Sequence, residues 1–253
     1  MLKNVILFLI LSLGIFSSGC VSIYNPATGR NELYFIDEKT EISIGNNVAA
    51  RIIEDNEIVQ DKSLQFYIEN IGNKLKKVSD RTNLEYKFYI VDDDQLNAFA
   101  VPGGHVFLNK GLIDTATKDE LAFVMAHEIG HICARHSVKK MQTALGLNFL
   151  LSVALRDPNY QAVNKTINLV YNVVALGYSR KDELLADSLG VKYSKKAGFN
   201  PEASFSLLEK LKKEEGNANY TLVFLRSHPL PDERIKNIQK TLNNETVSKL
   251  NSP

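Results

Sequence analysis

At 253 residues, with 44% hydrophobic side chains, the chain is long enough for one domain with elaborations and apolar enough to bury a core. Its 30 basic and 29 acidic residues leave a net charge of +1 with no basic run, so nothing points to a nucleic-acid partner. No internal repeat or low-complexity tract is present, so solenoid and linker architectures are excluded as well.

The chain begins with Lys3, an apolar run over residues 5–16 and then Ser17-Ser18-Gly19-Cys20. The run is too short to cross a bilayer core of about 30 Å, which takes about 20 helical residues. It reads as a secretory signal over residues 1–19. Small residues directly before a cysteine resemble a bacterial lipobox, which makes Cys20 the lipidated first residue of a domain spanning residues 20–253. Ser17 departs from that pattern, which usually has an aliphatic residue there. Val21 resembles the residue type sorted to the outer membrane, implying an exported envelope lipoprotein on its periplasmic face where the organism has one. With Cys20 acylated, Cys133 has no intrachain partner.

Residues 37–58 read as a helix. Leu64, Ile68, Ile71, Leu75 and Val78, spaced alternately by four and three, define the apolar face of the next. Residues 86–91 read as a strand bounded by Asp92-Asp93-Asp94. Two short strands over 97–101 and 105–109 follow, joined at Pro102-Gly103-Gly104. Asn97, Ala98, Phe99 and Ala100 on the first are positioned to offer a free edge to an extended peptide, a mode that reads backbone more than side chains.

Thr117-Lys118-Asp119-Glu120 reads as a capping box, and Leu121, Val124, Met125, Ile129 and Ile132 continue at helical spacing. That helix carries His127-Glu128-Ile129-Gly130-His131. Residues four apart share a face, so both imidazoles reach one metal ion, and Glu128 can hold a water there. Cys133 lies roughly 200° around the helix from His131 and reads as a buried thiol. His105 reads as a strand residue, and His136 as facing away at the helix end.

Residues 144–155 and 167–176 are strongly apolar around Arg156-Asp157-Pro158-Asn159. A helical hairpin over about 141–178, packed above the cleft, is the preferred reading. A lid, a lipid-facing surface, a partner-docking face and plain core packing all stay open. Downstream, Glu183 and Asp187 share a face of a helix made apolar by Leu184, Leu185, Ala186 and Leu189. Glu183 can be the third metal ligand, while Asp187 accepts a hydrogen bond from the far nitrogen of a ligand histidine. The other reading is a solvated acidic face, but a buried carboxylate needs a partner. Gly198 closes this helix, and Asn200-Pro201 starts the next. The expected fold is α+β and mostly α-helical, with a small sheet beside the HExxH helix.

The HEIGH motif, the Glu183/Asp187 pair and the phrase from Asn97 to Phe107 together resemble the HtpX/BepA-type zinc metallopeptidases, gluzincins related to the CAAX prenyl endopeptidases. Asn25-Pro26-Ala27-Thr28-Gly29-Arg30, and Ser227-His228-Pro229 followed by Glu233-Arg234-Ile235, also match, so the resemblance runs from about residue 24 to 240. The chain lacks the spanning helices of the integral-membrane members and looks like the lipoprotein branch. The resemblance implies one Zn2+ per chain and an endopeptidase acting on unfolded or misassembled envelope proteins, with a membrane contact through the anchor. His127, His131 and Glu183 are the expected ligands and Glu128 the general base. His228 is the candidate donor to the developing oxyanion, with Tyr178 second. It can instead cap the metal and keep the enzyme latent, or be an ordinary loop histidine. A zinc-bound chaperone or assembly factor that cleaves rarely is the alternative function. A purely structural zinc site is disfavoured, since such sites usually have four Cys or His ligands.

Overall fold

In the computed structural model, residues 21–143, 177–214, 228 and 232–250 are described. The signal segment, Cys20 and nearly all of the apolar hairpin lie outside the described residues. Strands β1 (Val21–Asn25) and β2 (Arg30–Tyr34) form an antiparallel hairpin. Its turn is the Asn-Pro-Ala-Thr-Gly-Arg phrase. There the Asn25 side chain accepts from the Ala27 amide at 3.0 Å, and Gly29 takes φ 66°.

Helix α1 (Glu38–Asp55) is N-capped by Asp37, and α2 (Lys62–Val78) by Asp61. The helix expected over residues 37–58 ends at Asp55, and Ile58 instead bridges Val91 of the sheet. The sheet joins β3 (Lys87–Val91), β4 (Ala98–Val101) and β5 (His105–Asn109) in the order β3-β5-β4. β3 runs parallel to the central β5, and β4 antiparallel to it.

Strand alternation sorts the side chains into two layers. Phe88, Ile90, Ala98, Ala100, Val106 and Leu108 join the core that holds α2 and the HExxH helix. Val91, Val101 and Phe107 face the other way and pack with Ile44, Val48 and Ile52 of α1. The Pro102–Gly104 connection is a short 3-10 turn in which Gly103 has φ 81°. Gly45 of α1 lies against this turn so closely that a Cβ there would stand 1.8 Å from the Pro102 carbonyl oxygen.

After the short helix α3 (Lys110–Thr115) comes α4 (Lys118–Cys133), with both halves of the expected capping box formed. Beyond it pack α5 (Arg180–Lys196), α6 (Ala203–Glu214) and α7 (Asp232–Leu250). No described helix is long and apolar enough to cross a membrane. Glu41 of α1, 1% exposed, accepts from Arg81 Nη1 at 2.8 Å and forms an ion pair with Arg135, whose Nε stands 2.8 Å from Oε2, and Arg81 also donates to the Ile132 carbonyl at 3.1 Å. This buried triad fastens α1 to the end of α4.

Candidate metal centre

His127, Glu128 and His131 project from the middle of α4, whose residues from Glu120 to Cys133 are all buried. The helix that faces them is α5. A Cβ on Gly130 would meet the Ala186 carbonyl oxygen and Leu189 Cβ at 3.2 Å, so glycine lets the two backbones approach closely. That approach brings Glu183 and Asp187, one turn apart on α5, against both histidines.

The two imidazole Nε2 atoms stand 3.0 Å apart. Glu183 Oε2 lies 3.5 Å from His127 Nε2, and its Oε1 lies 3.5 Å from His131 Nε2. His228 Nδ1 completes the group, 3.3 Å from His127 Nε2 and 3.0 Å from Glu183 Oε1. One donor atom from each of His127, His131, Glu183 and His228 falls within 4.8 Å of the others. All four residues are buried. Imidazole and carboxylate donors at such separations suit zinc.

Around the donors lies a shell that orients them. Asp187 Oδ1 is 3.0 Å from His127 Nδ1, the contact expected of a carboxylate that fixes the tautomer of a ligand histidine. Asp187 in turn accepts from Arg234 Nε at 2.7 Å and Nη2 at 2.6 Å. Arg234 Nη1 donates to the His228 carbonyl at 3.0 Å and lies 3.3 Å from Glu183 Oε2. The Tyr178 ring stacks on His131 with centroids 4.0 Å apart, and its hydroxyl is 2.7 Å from Ser137 Oγ.

His136 does not face away. Its Nδ1 is 2.9 Å from His131 Nδ1 and its Nε2 is 3.3 Å from Asp182 Oδ1. Helix α4 stops at Cys133, Arg135 takes φ 55°, and helix resumes over 136–143. That break re-aims His136 under His131, which continuous helical spacing does not foresee. Cys133 is fully buried beside Tyr86, 3.4 Å from its hydroxyl, and is not among the donors. His105 is bonded through Nε2 to Asn46 and through Nδ1 to Tyr89, on the α1 face of the sheet.

Both Glu128 carboxylate oxygens are buried without a hydrogen-bond partner among the described residues, although His228 Nε2 stands 3.4 Å from Oε1. Burial raises this carboxyl, against the opposing pull of His228, His127 and the backbone N–H of Ala100. Ala98 and Ala100 of β4 share the buried core with the HExxH helix. Burial alone would lower His127, but Asp187 and Glu183 outweigh it and raise the group to about 9. For Glu183 burial acts upward, and the surrounding histidines, His228 first, hold the carboxyl far below the usual carboxylate range. The orphaned Glu128 oxygens beside four converging donors fit a bound metal with a water between.

Arg234 and His136 are the residues of this site that spacing arguments miss. Arg234 lies in a matched phrase, but nothing in Asp232-Glu233-Arg234 shows which charge turns inward.

Residues 62–242 match the model of the family described as Peptidase family M48. A putative beta-barrel assembly-enhancing protease of Vibrio cholerae is 32% identical over 73% of this chain and 40% of that protein. The mitochondrial metalloendopeptidase OMA1 of Schizosaccharomyces pombe is 32% identical over 70% of this chain and 52% of that protein. Metalloprotease LoiP of Escherichia coli is 28% identical over 71% of each. The chain thus spans about half or less of the first two relatives.

Proposed function

The chain belongs to peptidase family M48 and carries its metalloendopeptidase domain, and we propose that it uses one zinc ion to hydrolyse peptide bonds in misfolded or misassembled cell-envelope proteins. The convergence of His127, His131 and Glu183 around orphaned Glu128 carries this reading. When bound, zinc lowers the pKa of a water and polarises the scissile carbonyl. Glu128 takes the proton of the attacking water and delivers it to the leaving amine. Burial raises this carboxyl, which favours its holding the proton between the two transfers. Asp187 and Arg234 hold His127 in the tautomer that points Nε2 inward. The edge of β4, from Asn97 to Ala100, aligns an extended substrate segment along the HExxH helix.

The anchor at Cys20 and a periplasmic, outer-membrane-facing location belong to the same proposal. They are supported by the lipobox-like phrase and by the names of the beta-barrel assembly-enhancing relatives.

The position of His228 favours a second feature. Its Nδ1 sits with the other donors, which suits a fourth ligand closing the site better than an oxyanion donor. A resting enzyme capped in this way is latent, and it approaches the alternative of an assembly factor that cleaves rarely. Zinc content and casein digestion by the purified chain and its Glu128→Gln and His228→Ala variants test both points. One zinc per chain with digestion lost in Glu128→Gln supports the protease. Faster digestion by His228→Ala supports the cap, and slower digestion with zinc retained supports the oxyanion role. Unimpaired digestion by Glu128→Gln overturns the assigned base.

A further inference from the structure

Hairpin strands alternate their side chains between two faces, and here the faces differ sharply. Tyr34 and Asn25 are 2% and 4% exposed on the inner face, which is pinned to the domain. The Arg135 guanidinium lies 4.0 Å over the Tyr34 ring, and Lys139 donates to Glu32 at 2.7 Å. On the outer face Leu33 pairs with Ser22 and Tyr24 with Asn31, and Leu33 and Tyr24 are each 60% exposed. Phe35 continues the alternation and is 42% exposed. Of the six exposed large hydrophobics among the described residues, three (Tyr24, Leu33 and Phe35) lie on this outer face or continue it, while Ile23 pairs with Glu32 on the inner one. An apolar cluster of this kind on a folded surface marks a contact site.

We propose that the outer face of the β1–β2 hairpin is seated on the lipid bilayer, as a second membrane contact beside the anchor. This rests on the reading of Cys20 as the acylated residue. β1 starts at Val21, so no linker separates the anchor from the strand. One residue reaches only about 3.5 Å, which keeps the hairpin at the level of the headgroups. Tyrosine and phenylalanine have the apolar body, and tyrosine the polar tip, that settle at a membrane interface. The contact also fixes orientation. The Gln142 side chain accepts from the Phe35 amide at 2.8 Å and donates to the Leu33 carbonyl at 3.4 Å. Arg135, Lys139 and Gln142 all follow directly on the HExxH helix, so the bilayer plane is tied to the catalytic cleft through side chains of the helix that succeeds it.

The chain contains no tryptophan, so a single introduced indole reports its own surroundings. Leu33→Trp is prepared as the acylated full chain, with Cys20 modification verified by mass spectrometry. It is reconstituted in vesicles of phosphatidylethanolamine and phosphatidylglycerol, with and without brominated acyl chains. Phe66→Trp, at a residue 67% exposed on α2, is the control. The expected result is a blue-shifted Leu33→Trp emission losing about half its intensity to the brominated lipid, as for a group seated in the headgroup–acyl boundary, with Phe66→Trp unaffected. An acylated chain whose Leu33→Trp indole stays unquenched overturns the proposal while the anchor stands. A blue shift without quenching assigns the face to a second copy or a protein partner, and also overturns it. Equal quenching at both positions shows non-specific adsorption and does the same. Failure to find acylation removes the anchor reading, and the hairpin is then judged by adding the unacylated chain to the same vesicles. Quenching there sustains the membrane contact, and its absence ends it.

Discussion

Arg234 is 1% exposed and spends its guanidinium on Asp187, Glu183 and the His228 carbonyl. One cation thus balances the carboxylate that orients His127 and holds the backbone that presents His228. Replacing it with leucine strands two buried carboxylates, and breaking a buried pair from one side costs about 3–5 kcal/mol. Urea unfolding of Arg234→Leu is expected to show a loss of that order, and Arg234→Lys only a partial rescue, because an ammonium lacks the bidentate fork. A loss below about 1 kcal/mol would show that Asp187 does not depend on it. Asp187→Asn keeps the shape but not the charge, and is expected to weaken zinc binding by about 10- to 100-fold in competition with a chelator. Unchanged affinity would remove Asp187 from its orienting role. The HExxH pair and Glu183/Asp187 were legible because each is a one-turn repeat on one helix face. Arg234 and His136 were not, because a surface-like charged triplet and a post-helix histidine reach the candidate site only through tertiary packing.

Helix α4 owes its start to Thr117, whose side chain accepts from the Glu120 amide, while Glu120 accepts from the Thr117 amide at 2.8 Å. Thr117→Ala is expected to cost about 1 kcal/mol, read from the denaturant midpoint; no change would mean that α6 contacts alone fix Glu120. The seat of α1 is less forgiving. Gly45→Ala drives a Cβ into the Pro102 carbonyl, where the obstacle is backbone on both sides. Overpacking of this kind costs about 1–3 kcal/mol or more, and because the turn joins β4 to β5 it should also lower casein digestion per folded molecule. Full activity and stability in Gly45→Ala would show that the turn can yield. Elements with strong periodicity or caps, such as α2, β5 and α4, were readable from sequence to within a residue or two. The β1–β2 hairpin was not, because its five-residue strands carry little alternation and its inner face is defined by Arg135 and Lys139, over a hundred positions away. The sheet order, with β5 central, was equally invisible, since pairing across β4 is set by what α1 and α4 cover.

At the scale of the whole molecule, two carboxylates tie distant parts of the chain to the HExxH helix and its continuation. Glu120 joins the start of α4 to α6 through Ser206 Oγ at 2.6 Å and Lys210 Nζ at 2.7 Å. Glu32 joins the hairpin to Lys139 beyond the end of α4. Burial raises both carboxyls, but the hydrogen bonds and cations around them prevail and leave both below their ordinary value. As pH falls, the unfolded chain therefore takes up protons first. The stabilisation from these groups is complete above about pH 5 and disappears as pH drops through about 4 and below. The Glu32→Gln/Glu120→Gln chain should be less stable than the parent at neutral pH and lose less on acidification, so that their urea midpoints converge in acid. Midpoints that fall in parallel across that range would place the acid sensitivity elsewhere. Convergence would show that the two ends of the HExxH helix are held by charge as well as by packing, and that the cleft loses its framing where those carboxyls protonate.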